Sequence, residues 1–192
     1  MEQFDSEKTA IVVVDMQNCF AHQDGVLFAP PSGEVIDPIS EFIETGREYG
    51  LDIIYTQDTH TTEQFEEKFS HYDEFDRWGE HAVEGSWGHE IVSELTPLQG
   101  EYVVRKQTYD AFYETNLHSE LESRDIETVL FVGTLANVCV MHSASSAALN
   151  DYDSVVVSDL VGYIEESDKE YALNHVEWLF GRTVPSDDIE FE

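Results

Sequence analysis

The chain has 192 residues, 41% of them hydrophobic, enough to bury one sizeable core, and a single domain over 1–192 is expected. It carries 41 Asp+Glu against 9 Lys+Arg, a net charge of −32, which excludes nucleic-acid binding and disfavours an anionic membrane surface, since both require basic residues. Only two cysteines, Cys19 and Cys139, are present, so a disulfide framework is excluded.

Ala10 to Val14 (AIVVV) is a continuous β-branched run, as a parallel strand buried on both faces requires. Val35 to Tyr49 carries apolar residues at helical spacing and is closed by Gly50. Asp52 to Thr56 reads as a second strand, Glu90 to Leu95 as a helix and Tyr102 to Val104 as a third strand. Asn116 to Glu122 is a short helix, Thr128 to Val132 a fourth strand, and Val138 to Leu149 a helix of small residues. Ser154 to Val157 is a fifth strand, Lys169 to Phe180 the last long helix, and Thr183-Val184 starts a sixth strand. The alternation predicts an α/β fold: a doubly wound, mostly parallel six-stranded sheet with helices on both faces. Ligands in such sheets sit at the carboxyl ends of the strands. About 30 residues, from Gln57 to Trp87, show no clear element; loops that long are usually functional.

The acids are dispersed between apolar segments, which fits acid spread over a folded surface better than an acidic tail. Such a surface repels itself in dilute buffer and is screened in concentrated salt, so the composition reads as that of a halophilic protein. The first ten residues, MEQFDSEKTA, lack a basic start followed by an apolar stretch, and no run is long enough to span a membrane. The cytoplasm is the expected compartment, which suits two free thiols.

Three residues stand at the carboxyl ends of expected strands: Asp15, Lys106 and Cys139. Taken singly, each has an ordinary explanation, as a turn carboxylate, a surface lysine and a buried apolar thiol. Together the fold would bring them to one edge of the sheet. A thiol at a helix start feels the positive end of the dipole and ionises more readily. A neighbouring carboxylate can take its proton, and a lysine can hold that carboxylate ionised. A second group is Asp58-Thr59-His60, with His81 further on. Residues i and i+2 of an extended segment point to one side, so Asp58 and His60 can share a metal that His81 completes; a solvated polar loop is the ordinary alternative.

These segments resemble the isochorismatase-like cysteine hydrolases, and most closely their nicotinamidase (pyrazinamidase) branch. The resemblance rests on AIVVVDMQNCF at 10–20, YTQDTH at 55–60, WGEHAVEGSWG at 78–88, VVRKQTYDAFYETNL at 103–117 and FVGTLANVCVMHSA at 131–144. It implies a Rossmann-like three-layer fold, with Asp15, Lys106 and Cys139 as catalytic residues and Asp58, His60 and His81 as metal ligands. Zinc is the expected ion, with iron or manganese as alternatives, and Glu66, Glu67 or His71 would supply a fourth ligand. It also implies a cis peptide at Thr134-Leu135, an oxyanion hole from the N–H groups of Leu135 and Cys139, Phe20 and Trp78 on either side of a substrate ring, and Tyr113 as a further pocket wall. Two positions depart from the pattern: Cys19 stands where some members have an acid, and Val138 where some have histidine. Cys19 is read as structural.

The implied activity is deamidation of nicotinamide to nicotinate and ammonia through a thioester, a step of NAD salvage. An amidohydrolase of the same superfamily acting on a carbamoyl or ureido group is the alternative, and a non-catalytic binding protein on this fold a remote one. Isochorismate hydrolysis is disfavoured, since cleaving a vinyl ether needs an acid and no thiol. The expected partner is a small amide, with no nucleic acid or membrane, and a homo-oligomer is expected because relatives are often dimers or tetramers.

Overall fold

The computed structural model describes residues 1–67 and 74–192. Strand β1 (Glu2–Phe4) is followed by β2 (Thr9–Val14), the short helices α1 (Asn18–Ala21) and α2 (Pro30–Glu34), the long helix α3 (Ile36–Tyr49) and β3 (Asp52–Asp58). Two short helices follow, α4 (Thr62–Glu67) and α5 (Glu74–Trp78), then β4 (Tyr102–Lys106), α6 (Leu117–Ser123) and β5 (Thr128–Gly133). A π-turn (Ala136–Val140) leads into α7 (Met141–Leu149), and β6 (Asp153–Val161), α8 (Glu166–Leu179), β7 (Arg182–Val184) and β8 (Ile189–Phe191) complete the chain.

Six strands form one parallel sheet in the order β4-β3-β2-β5-β6-β7, as the strand–helix alternation predicts. Every residue of β2 is buried, because both faces of the sheet are covered. Ile11 and Val13 join one core with Ile39, Phe42 and Ile43 of α3. Ala10, Val12 and Val14 point the other way, into a second core with Leu117 and Leu121 of α6, Ala144 and Ala147 of α7, and Ala172 and Val176 of α8. The result is a three-layer α/β fold.

The strand order reverses direction at β2: its successor β3 lies on one side and β5 on the other. The crevice beyond the carboxyl ends of β2 and β5 is therefore the place where such sheets take ligands. Gly133 ends β5 there with φ +110, and a Cβ on it would meet Val14 O at 2.2 Å, so only glycine lets the two strand ends approach.

Several expectations need correction. Glu90 to Leu95 is not a helix; 3₁₀ turns occupy Trp87–His89 and Ser93–Leu95, and between them Ile91 pairs with Gln17 while Val92 N–H donates to Met16 O (2.9 Å). Bonds to the segment after β2 outcompete the helix that the local apolar spacing suggests. The Gln57–Trp87 stretch contains the end of β3 and helices α4 and α5. The expected helix at Val138 opens instead as the π-turn, a feature that recurs at functional sites. The pairing of β1 with β8 was not foreseen; each has three residues, too few for a periodic signal. No helix among the described residues is long and apolar enough to cross a membrane.

Candidate active site

A cavity of about 300 Å³ opens at the crevice beyond β2 and β5. Asp15 enters it from the end of β2, Asp58 from the end of β3, and Leu135 and Cys139 from the turn after β5. Asp15 takes up φ +48, a left-handed conformation that Asp tolerates better than most residues, and its carbonyl accepts from Gln17 N–H at 2.7 Å. Its Oδ1 accepts from the Thr56 hydroxyl at 2.6 Å. Lys106, the last residue of β4, lies fully buried behind the cavity wall. Its Nζ is 2.7 Å from Asp15 Oδ2, 3.6 Å from Asp58 Oδ1 and 3.5 Å from Cys139 Sγ, and it donates to Thr108 O at 2.8 Å. One ammonium thus touches both carboxylates and the thiol.

The electrostatics follow from that arrangement. Burial works against the Lys106 charge, but Asp15 and Asp58 outweigh it and raise its pKa well above the ordinary lysine value. Burial pushes the Cys139 thiol well above its ordinary range; Lys106 opposes this, and the two carboxylates add to it. The expectation that the helix start would make this thiol ionise readily is therefore corrected. With burial and two negative charges beside it, the resting group is a thiol that needs a base. Asp15 is in place to be that base.

Asp58, His60 and His81 converge as expected: their ligand atoms all lie within 4.8 Å of one another, and all three are buried. Asp58 Oδ2 is 3.1 Å from His60 Nε2 and 3.7 Å from His81 Nε2. Donors around a tetrahedral first-row cation stand about 3.3 Å apart, between those two values. His81 Nδ1 donates to Gly79 O at 2.7 Å, which fixes the ring with Nε2 toward the Asp58 carboxylate. Three buried ligand atoms converge there, and Asp58 Oδ1 is buried without a hydrogen bond among the described residues. The donor set therefore fits a divalent metal. Burial opposes the Asp58 charge, but Lys106, His60 and His81 outweigh it and hold its pKa at about 2. Glu66 is exposed on α4, whereas the Glu67 side chain and His71 lie outside the described residues. Phe65 of α4 packs edge-on against His60 and His81, with ring centroids 5.5 and 5.6 Å away.

Phe20, Trp78 and Leu135 line the cavity as expected, and Phe20 sits edge-on to His81 at 5.8 Å. The peptide Thr134-Leu135 is cis. Tyr113 does not line the cavity: it is 55% exposed and borders a separate polar cleft beside Arg105 and Glu114. The preceding turn, in which Asp110 accepts from Phe112 N–H and from the Ser146 hydroxyl, sends Tyr113 outward and leaves Tyr109 on the cavity wall. Sequence reasoning also missed Leu27, Phe28, Pro30 and Ile164, which complete the apolar wall. The signal for the first three was the run VLFAPP, apolar without belonging to a periodic element, and Ile164 had none. Cys19 is buried and does not line the cavity, in keeping with a structural role.

Comparison with known proteins places these features in a family. The ureidoacrylate amidohydrolase RutB of Cronobacter sakazakii is 30% identical over 174 residues, covering 81% of this chain and 75% of that protein. The N-carbamoylsarcosine amidase of Thermoplasma acidophilum is 34% identical, superposes with a TM-score of 0.80, and is matched over 95% of this chain and 99% of that one. The pyrazinamidase/nicotinamidase of Streptococcus mutans is 25% identical with a TM-score of 0.83, over 92% and 99% of the two chains. The model of the isochorismatase domain matches residues 9–188. The chain therefore belongs to the isochorismatase family of hydrolases.

Proposed function

We propose that this protein is a metal-assisted cysteine amidohydrolase that deamidates nicotinamide to nicotinate and ammonia. The observation that carries the reading is the joining, in one cavity that Phe20 and Trp78 also line, of a thiol–carboxylate pair with Asp58 and His81 of the histidine cluster. Among the described residues no lysine or arginine lines that cavity, and its walls are apolar, which favours a neutral, flat amide.

The steps follow from the side chains. Asp15 accepts the Cys139 proton, and the thiolate attacks the carboxamide carbon. Lys106, its Nζ 2.7 Å from Asp15 Oδ2, fixes that carboxylate in place for the transfer. The N–H groups of Leu135 and Cys139 receive the negative oxygen of the tetrahedral intermediate. Protonated Asp15 gives its proton to the departing amine, so ammonia leaves and a Cys139 thioester remains. Asp15 then takes one proton from water, whose oxygen attacks the thioester; that proton returns to Cys139, and the product leaves as nicotinate after releasing the second proton to solvent. Asp58, His60 and His81 would hold zinc, or alternatively iron or manganese, which when bound supplies a Lewis acid for the pyridine nitrogen.

The named relatives favour a second reading, hydrolysis of a carbamoyl or ureido group by the same thiol. Ammonia release from nicotinamide in molar KCl, beside N-carbamoylsarcosine and ureidoacrylate, with Cys139→Ala as control, decides between them. Thiol-dependent release from nicotinamide is the expected result. Turnover of the acyclic compounds alone would replace the first reading with the second, and binding without turnover of any of them would make this a binding protein.

A further inference from the structure

Strand β3 loses a neighbour just where it carries its metal-ligating residues. Its pairing with β2 runs from Asp52 to Tyr55, and beyond that β2 turns away at Asp15. On the other side β4 still pairs through Asp58, opposite Lys106. The backbone of Asp58 on the β2 side is met instead by a side chain. Gln17 Oε1 accepts from Asp58 N–H at 2.8 Å, and Gln17 Nε2 donates to Asp58 O at 2.9 Å. One amide thus copies the two-bond pattern of a neighbouring strand.

Gln17 is itself fully buried and held. Its Nε2 also donates to His89 O at 2.9 Å, and Gln57 Nε2 donates to the same carbonyl at 2.7 Å. The Thr59 hydroxyl donates to Gln57 O at 3.0 Å and therefore accepts from His89 Nε2, also at 3.0 Å. Residues of an extended segment alternate in direction. Gln57 and Thr59 turn to His89, while Asp58 and His60 turn to the cation site. His89 thereby anchors the side of the strand that the ligands do not use.

We propose that Gln17, seated on the His89 carbonyl, is a positioning residue for the cation site: it holds Asp58 in strand geometry where β2 no longer does, so that Asp58 and His60 are aimed before an ion arrives. This rests on the reading that Asp58, His60 and His81 hold a divalent metal. Partners one layer behind a ligand change metal affinity about 10–100-fold when removed.

The test measures metal, not turnover. Zinc affinity of the full chain is determined by competition with a chromophoric chelator, and the visible absorption of the cobalt-loaded protein reports ligand geometry. Gln17→Leu, close in size but without hydrogen bonds, should bind zinc about 10–100-fold more weakly and give an altered cobalt spectrum. Gln57→Ala removes only one donor to His89 O and should weaken zinc by a smaller factor, about 3–10-fold; it carries the test if Gln17→Leu does not fold. Native affinity and an unchanged cobalt spectrum in the folded variants, even with a lower melting temperature, would overturn the inference alone and leave Gln17 as packing. Absence of zinc and cobalt binding by the native protein would overturn both the inference and the metal reading.

Discussion

Two sides of one cavity are built by different means. Asp15, Lys106 and Cys139 come from the carboxyl ends of β2 and β4 and from the turn after β5, so the backbone bonds of the sheet already set their spacing. Asp58 shares that origin, but the buried amide of Gln17 stands beside it in place of β2, and His60 and His81 lie past the last strand residue, where His60 N–H bonds to Ala82 O at 3.0 Å. The thiol side therefore depends on charge balance inside a rigid frame. The histidine side depends on polar bonds that fix a frame the sheet does not supply.

The comparison breaks most directly at the thiol. Cys139→Ala should lower turnover by about 10⁴-fold or more while leaving zinc affinity within about twofold of native. A shared loss of both would show that the sides are not separable. Lys106→Met should come next. It leaves Asp15 and Asp58 buried without their ammonium, so chemical denaturation should show a loss of about 3–5 kcal/mol. Native stability in that variant would contradict the central place given to Lys106. His81→Ala should weaken zinc by about 100-fold or more, read by chelator competition, with the denaturation midpoint of the metal-free protein changed little.

The pH dependence sharpens the contrast. Asp58 is held down at about 2 against an ordinary 3.8, so its stabilising contribution is present above about pH 4 and is lost as pH falls toward 2. Cys139 is shifted the opposite way, so its contribution is complete below the ordinary thiol value of 9.0 and is lost as pH rises beyond it. Thermal melting of the metal-free chain against pH should show both slopes, and Cys139→Ala should reduce the alkaline one only, Lys106 and Cys19 supplying the rest. An unchanged alkaline slope would assign it to other groups. The smallest effect concerns the two tyrosines: Tyr109→Ala should raise KM by about tenfold, and Tyr113→Ala should change kcat and KM by less than about twofold. The reverse order would restore Tyr113 to the pocket. Outside the cavity, the −32 charge leads us to propose salt adaptation, with the melting temperature rising by about 10 °C or more from dilute buffer to molar KCl.

The sequence by itself determined the layered fold and the convergence of the charged groups. A short continuous β-branched run such as AIVVV reads as a strand covered on both faces, and chemistry placed one residue past such a run arrives at the sheet edge. The Asp58–His60 alternation was legible for the same reason, being a property of extended backbone. Tertiary structure alone decided three matters. The Cys139 thiol is pushed up and not down, because burial beside two carboxylates depends on which strand ends become neighbours. Tyr109 and not Tyr113 reaches the cavity, because Asp110 bonds to Ser146 of α7 and fixes the turn. Gln17 serves Asp58, 41 residues away, because β2 turns off before β3 ends. Each depends on contacts between segments distant in the chain, and a polar residue carries no local mark of the distant backbone it will satisfy.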